Sequence, residues 1–180
     1  MKRKIRLRFP LDWDLKLRFY MLPERPTPSR ISGRKWMRLY RSQPLAVWAE
    51  GPVQNPTLII SAPNVDEEVV KFVLEHHGIE DVEELYEFME RDEVLRRLKG
   101  KLYGFGKGRR MCASVFEGVV KAVIQQQIAF RVAEHLTANL VERYGERVEH
   151  EGEVYYDFPA PTKLAGLTVE ELRECGLSRR

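Results

Sequence analysis

Over its first sixty residues the chain alternates between apolar and polar positions. Ile5-Arg6-Leu7-Arg8-Phe9 has the period of two that marks a half-buried strand, and Leu15 to Met21 repeats it with Leu15, Leu17, Phe19 and Met21 on one face. Pro10 and the Asp12/Asp14 stretch separate these runs. Pro23, Pro26 and Pro28 form a loop, after which Trp36 to Arg41 and Leu45 to Ala49 read as a strand pair hinged at Pro44. Gly51-Pro52 turns the chain again before the β-rich Thr57 to Ser61. Four or five short strands with one apolar face predict an antiparallel sheet that needs helices packed on it.

After Pro63 the period becomes helical. Val65 to His77 carries Val69, Phe72 and Val73 at helical spacing, and Gly78 is a natural stop. Asp81 to Leu98 continues with Leu85, Phe88, Met89, Val94, Leu95 and Leu98, its acidic residues on the opposite, solvated face. Residues 100–111 form a basic, glycine-rich connector; its glycines would let backbone amides approach a phosphate, but it lacks the Walker pattern and reads as an interhelix loop. Ser114-x-x-Glu117 is a capping box that opens the next helix. Its apolar series runs through Val119, Val120, Val123 and Ile124, then resumes at Ile128, Val132, Leu136, Leu140 and Tyr144. One helix over residues 115–144 would be about 45 Å long, so a break is expected at Gln125-Gln126-Gln127. Val154 to Tyr156, a Pro159–Pro161 turn and a short helix with a box at Thr168–Glu171 and a stop at Gly176 complete the chain. The fold class is α+β, organised as a β domain over 1–62, helices and connector over 63–111, and a helical part over 112–180.

Composition narrows the setting. A length of 180 residues suits one domain or two small ones. No apolar run has the length of a membrane span. Two cysteines, Cys112 and Cys175, make no disulfide framework and point to a reducing, cytoplasmic setting. Four histidines at no ligand spacing argue against a structural zinc, and neither a metal nor a cofactor is expected. The net charge of +3 is uneven: residues 1–62 hold 13 basic and 4 acidic side chains (+9), 63–99 hold 5 and 12 (−7), 100–135 hold 6 and 2 (+4), and 136–180 hold 6 and 9 (−3). Two basic segments flanking an acidic one are the footprint of a polyanion partner, although solvated faces produce similar swings. Only three Asn and five Gln occur, a bias of hot-living sources. Three of those five glutamines stand together at 125–127, which marks the run for attention.

Ser114-x-x-Glu117, Ala122-x-Ile124-Gln125-Gln126-Gln127-Ile128-Ala129, Leu136-Thr137 and Tyr144-Gly145 resemble the helix-hairpin-helix DNA glycosylase superfamily, with the 3-methyladenine DNA glycosylase II branch closer. Phe158-Pro159-x-Pro161-x-x-Leu164-Ala165, followed by Leu172-x-x-x-Gly176-Leu177-Ser178-Arg179-Arg180, resembles the family's next block in order and spacing. Ile128-Ala129 also resembles the related 8-oxoguanine glycosylases, which leaves the branch open. The strand-rich start resembles the small antiparallel domain preceding the helical domain in that branch. The resemblance implies an enzyme of base excision repair that flips a damaged, alkylated base from double-stranded DNA and hydrolyses its N-glycosidic bond. It places Gln126 and Gln127 on the loop that enters the DNA gap, with Gln127 at the wedge. Gln125 adjoins them, and Arg109 and Arg110 on the connector are candidate phosphate contacts. The plainer reading is that amides at a helix break satisfy backbone groups.

Two departures qualify the resemblance. Ala129 stands where the family often has Ser and cannot cap the next helix through a side-chain oxygen. More consequentially, the hairpin turn L-x-G-[IV]-G and the catalytic Asp that follows it do not occur in the 180 residues, whose aspartates are Asp12, Asp14, Asp66, Asp81, Asp92 and Asp157. No catalytic residue is therefore assigned. The expectation is the N-terminal part of a glycosylase, inactive alone and lacking a C-terminal half; the alternative is a stand-alone DNA- or partner-binding module without catalysis.

Overall fold

The computed structural model describes residues 1–178. Arg179 and Arg180, the end of the second family-like block, lie outside them. The strands are β1 (Lys2–Arg6), β2 (Arg30–Ser32), β3 (Lys35–Tyr40), β4 (Gln43–Glu50), β5 (Thr57–Ser61), β6 (Arg147–His150) and β7 (Glu153–Tyr156). The helices are α1 (Trp13–Leu17), α2 (Glu67–His77), α3 (Glu83–Met89), α4 (Glu93–Leu102), α5 (Val115–Ile124), α6 (Phe130–Tyr144), α7 (Pro161–Ala165) and α8 (Val169–Glu174). The fold is α+β, with a five-stranded sheet ordered β1-β5-β4-β3-β2 and a β6-β7 hairpin. Residues divide into two compact units, 1–19 with 47–111 and 20–46 with 112–178, so 20–46 groups with the distant helices. Among the described residues no helix is long and apolar enough to cross a membrane.

In the first unit β1 pairs antiparallel with β5, from Lys2 opposite Ser61 to Arg6 opposite Thr57. Leu58, Ile60, Val69 and Val73 are buried. The alternating run at 15–21 is not a strand. Asp12 accepts the Leu15 amide at 2.8 Å and caps α1, which buries Trp13 and Lys16 at helical spacing and leaves Phe19 and Met21 exposed. Alternation misled because Lys16 points inward: its ammonium donates to the carbonyls of His77 at 2.6 Å and Lys107 at 2.9 Å. Asp66 caps α2, and Gly78 ends it in the left-handed region as expected. The run 81–98 is two helices rather than one, because Asp92 accepts the Leu95 amide at 3.0 Å and restarts the chain as α4. Its apolar face is only partly the expected one: Met89 is buried as expected and Tyr86 joins it, whereas Leu85, Phe88, Val94 and Leu98 are exposed. Since α4 runs to Leu102, the connector is shorter than 100–111. Gly104 in it has φ +81, and a Cβ there would lie 2.5 Å from the Asp12 amide nitrogen.

In the second unit β2 pairs with β3, and β3 turns into β4 at Arg41 and Ser42, both at positive φ. The hinge is therefore there and not at Pro44, which is buried inside β4; a two-residue turn of this kind matches the twist of its flanking strands. Val154 to Tyr156 is the second arm of a hairpin whose turn uses Glu151 and Gly152 at φ 51° and 76°. Ile124, Ala133, Leu140, Val141, Phe158 and Cys175 form the core of this unit. At α8 the capping box is complete: the Glu171 amide donates to Thr168 Oγ1 at 3.2 Å and the Thr168 amide to Glu171 Oε2 at 2.8 Å.

Candidate nucleic-acid interface

The 115–144 stretch breaks at the glutamine run. Gln125 closes α5 with its amide on the Lys121 carbonyl at 2.9 Å, and the Gln126 amide reaches Val123 at 3.2 Å. Gln127 has φ +60, a left-handed conformation that a non-glycine side chain adopts at some cost. Gln126 and Gln127 are exposed and Gln125 is half-buried. Ala129 precedes α6 in an extended conformation with no side-chain cap, and no acidic residue stands in the first turn of α6. The helix therefore presents its positive end without a carboxylate to neutralise it, and exposed Arg131 adds a cation in that turn. Arg131 was not among the candidates; its signal in the sequence is its place four residues after Gln127.

Beneath the loop, buried charges join the flanking helices. Lys121 on α5 donates to the Thr27 carbonyl at 2.9 Å and lies 3.6 Å from Glu134 on α6. The Ser114–Glu117 box is half formed. Ser114 Oγ accepts the Glu117 amide at 3.1 Å, but the Glu117 carboxylate takes the Ala113 amide at 2.9 Å and the guanidinium of buried Arg38 at 3.4 Å instead of returning to Ser114. Arg38 also pairs with Asp157 and donates to the Leu39 carbonyl at 3.0 Å. Arg25 holds Glu142 through two nitrogens, at 3.0 and 2.6 Å, and Asn139 at 2.8 Å, and so ties the 20–29 loop to α6.

These contacts rotate the expected face of α5: Ile124 and Val120 still pack on the core, but Val119 and Val123 do not. Glu117, Lys121 and Ile124 are buried, while Val115, Val119 and Val123 are 84%, 57% and 58% exposed. Ile128, Phe130 and Val132 are exposed as well. An apolar stripe therefore faces outward from both helices beside the glutamine loop.

Arg109 and Arg110 lie in the first unit and the glutamine run in the second. Arg109 donates to the Phe19 carbonyl at 3.5 Å, and Arg110 pairs with Glu75 at 3.0 Å. Five of the six aspartates have structural duties: Asp12, Asp66 and Asp92 cap helices, Asp81 accepts the Glu83 amide at 2.9 Å, and Asp157 holds Arg38. Burial pushes the Cys175 thiol up, which keeps it protonated and poorly nucleophilic. Trp13 and Trp36 are core residues, whereas Trp48 is half-buried.

Residues 120–180 match the family model described as HhH-GPD superfamily base excision DNA repair protein. The chain is similar to DNA-3-methyladenine glycosylase of Bacillus subtilis (strain 168), 31% identical over 111 residues that make up 60% of this chain and 35% of that protein. Its fold is similar to 3-methyladenine DNA-glycosylase from Archaeoglobus fulgidus, with a TM-score of 0.86 and 42% identity over 99% of this chain and 62% of that one. A Clostridium acetobutylicum 8-oxoguanine glycosylase/lyase, solved with double-stranded DNA containing cytosine opposite 8-oxoG, shares the fold at a TM-score of 0.58 and 20% identity, over 83% of this chain and 50% of that one. The chain thus spans between 35% and 62% of the length of these relatives.

Proposed function

We propose that this chain, whose residues 120–180 belong to the HhH-GPD superfamily of base excision DNA repair proteins, is the N-terminal part of a DNA glycosylase acting on alkylated bases. Its glutamine loop enters the gap left by a flipped base, and Gln127 hydrogen-bonds the orphaned opposite base. Hydrolysis adds water at C1′ of the sugar while the C1′–N bond breaks and the base leaves with the bonding pair. The group that steadies the cationic sugar is supplied by a C-terminal segment outside these 180 residues. That assignment agrees with Asp12, Asp66 and Asp92, which cap helices, and with Asp157, which holds Arg38.

The observation that carries the reading is the exposed Gln126–Gln127 turn, with left-handed Gln127, between two helices anchored by buried charges. The outward valine stripe of α5 favours a helical domain completed by further chain over a self-sufficient binding module. Two free thiols, Cys112 and Cys175, suit the reducing interior of the cytoplasm.

The test is to incubate the purified chain with methylated duplex DNA and measure both binding and base release. Weak, salt-dependent binding without base release is expected. Robust release by the 180-residue chain would overturn the placement of the catalytic group outside it. A chain without affinity for duplex DNA would overturn the functional reading itself.

A further inference from the structure

A second surface stands out in the first unit, on elements the glutamine loop does not include. Strand alternation sends the side chains of β1 to opposite faces. On one face Arg3 meets Glu67 of α2 at 2.7 Å, so its charge is answered within the fold. On the other face Lys2, Lys4 and Arg6 are exposed, and Arg8 follows in the next turn of chain. Among the described residues no carboxylate lies within ion-pair distance of these four cations. Elsewhere in the unit Arg96 and Lys99 are paired with Glu90, Arg97 with Glu93, Lys107 with Glu80 and Arg110 with Glu75, whereas β1 gathers its unanswered cations in one row.

The strand also ends the sheet, since β1 is the first in the order β1-β5-β4-β3-β2. Lysines on an edge strand deter pairing with another chain. That role does not require an aromatic residue beside them, yet Lys2 Nζ lies 5.6 Å from the ring centroid of half-buried Trp48. The Trp48 indole N–H is itself oriented by its bond to Glu50 at 2.9 Å. Lys2 is thereby held by a cation–π contact instead of moving freely in solvent.

Repeated charge of one sign gives the partner its chemistry. Outward side chains of an extended strand recur about every 6.8 Å, twice the rise of about 3.4 Å per residue. Phosphates along one strand of duplex DNA advance about 3.4 Å per nucleotide along the axis. A row of three cations, continued by Arg8, presents repeated positive charge to a repeating polyanion; the complementarity is one of sign, since the phosphate path winds about the duplex axis.

We propose that the outer face of β1, with Lys2, Lys4 and Arg6 and with Lys2 steadied on Trp48, is a second nucleic-acid contact that holds the phosphate backbone of duplex DNA. It rests on the DNA reading above and adds to it a sequence-independent anchor on the β-sheet. Because Trp13 and Trp36 are 2% and 0% exposed, Trp48 is the tryptophan placed to report occupancy in fluorescence.

The experiment compares the full chain with Lys2→Gln/Lys4→Gln/Arg6→Gln, using anisotropy of an undamaged labelled duplex across a salt series. Three lost phosphate contacts reduce the slope of log K against log salt by about 2.7, and weaken binding roughly ten-fold or more at low salt. Duplex DNA also shifts the tryptophan emission of the parent chain, and Trp48→Phe removes that response. Circular dichroism and the thermal midpoint confirm that the variants are folded. An unchanged slope in the triple variant, while Arg131→Gln weakens binding, overturns the second contact and leaves the glycosylase reading standing. A parent chain that binds no duplex overturns both. Equal binding to vesicles of anionic lipid, lost with the same substitutions, overturns the assignment of this face to nucleic acid.

Discussion

Lys121 and Glu134 form an ion pair between the two helices that flank the glutamine loop, Nζ standing 3.6 Å from Oε1 with both side chains almost wholly buried. The same ammonium holds the Thr27 carbonyl. Removing one member of such a pair leaves a charge stranded in the interior, at a cost of about 3–5 kcal/mol, whereas replacing both with apolar residues is often nearly neutral. Lys121→Met is therefore expected to lose about 3 kcal/mol or more in urea unfolding. Lys121→Met/Glu134→Leu is expected to recover most of that loss.

Gln127 makes a separable prediction. A neutral hydrogen bond contributes about 0.5–1.5 kcal/mol net. Gln127→Ala is expected to weaken binding to a duplex with an unpaired base by roughly 2- to 10-fold, while affinity for fully paired DNA stays within two-fold. Competition binding with the two duplexes checks this; equal losses on both would remove Gln127 from the wedge role.

The outward face of α5 predicts behaviour that core residues never show. Val119→Lys/Val123→Lys replaces side chains that are 57% and 58% exposed, so stability is expected to change by no more than about 0.5 kcal/mol per site. Binding of a hydrophobic dye and self-association at high concentration are expected to fall. A large loss of thermal stability would mean that the stripe is covered within this chain.

The first unit has a pH dependence of one sign. Burial lowers the Lys16 pKa from its ordinary 10.5 to about 8. Between those values the unfolded chain binds the extra proton, so stability rises with pH from about 8 to 10.5, with a slope of at most about 1.4 kcal/mol per unit. Burial, then the Lys16 and Arg109 charges, hold His77 well below its ordinary 6.5. The unfolded state again binds more protons below pH 6.5, so stability falls on acidification. Lys16→Met is expected to flatten the alkaline limb; denaturant midpoints measured from pH 5 to about 10.5 resolve both limbs.

Thr168→Ala removes the reciprocal bonds with Glu171 at the start of α8. A loss of about 1 kcal/mol is expected. Ser114→Ala removes a single bond at α5, so the smaller of the two losses in matched unfolding curves should be its own.

Much of the fold was legible from short-range chemistry. Gly78 in the left-handed region, Ser114 and Thr168 as helix caps, the span of β5 and the break at the glutamine run each depend on a few neighbouring residues. The same local pattern marked Gln126 and Gln127 as a turn between helices, and the structure exposes both. Whether Gln127 touches DNA is a question of partner, and no local signal carries that.

Facing and pairing depended on what covers each surface. Periodicity turned Val119 and Val123 inward with Val120 and Ile124, but Arg38 from β3 and Glu134 from α6 draw Glu117 and Lys121 inward in place of the first two. Lys16 enters the interior because carbonyls of His77 and Lys107, 61 and 91 positions away, are there to receive it. A buried charge is tolerable only where distant groups converge on it. Those groups meet only after the chain has folded, and so the spacing of hydrophobic residues in the sequence carries no trace of them.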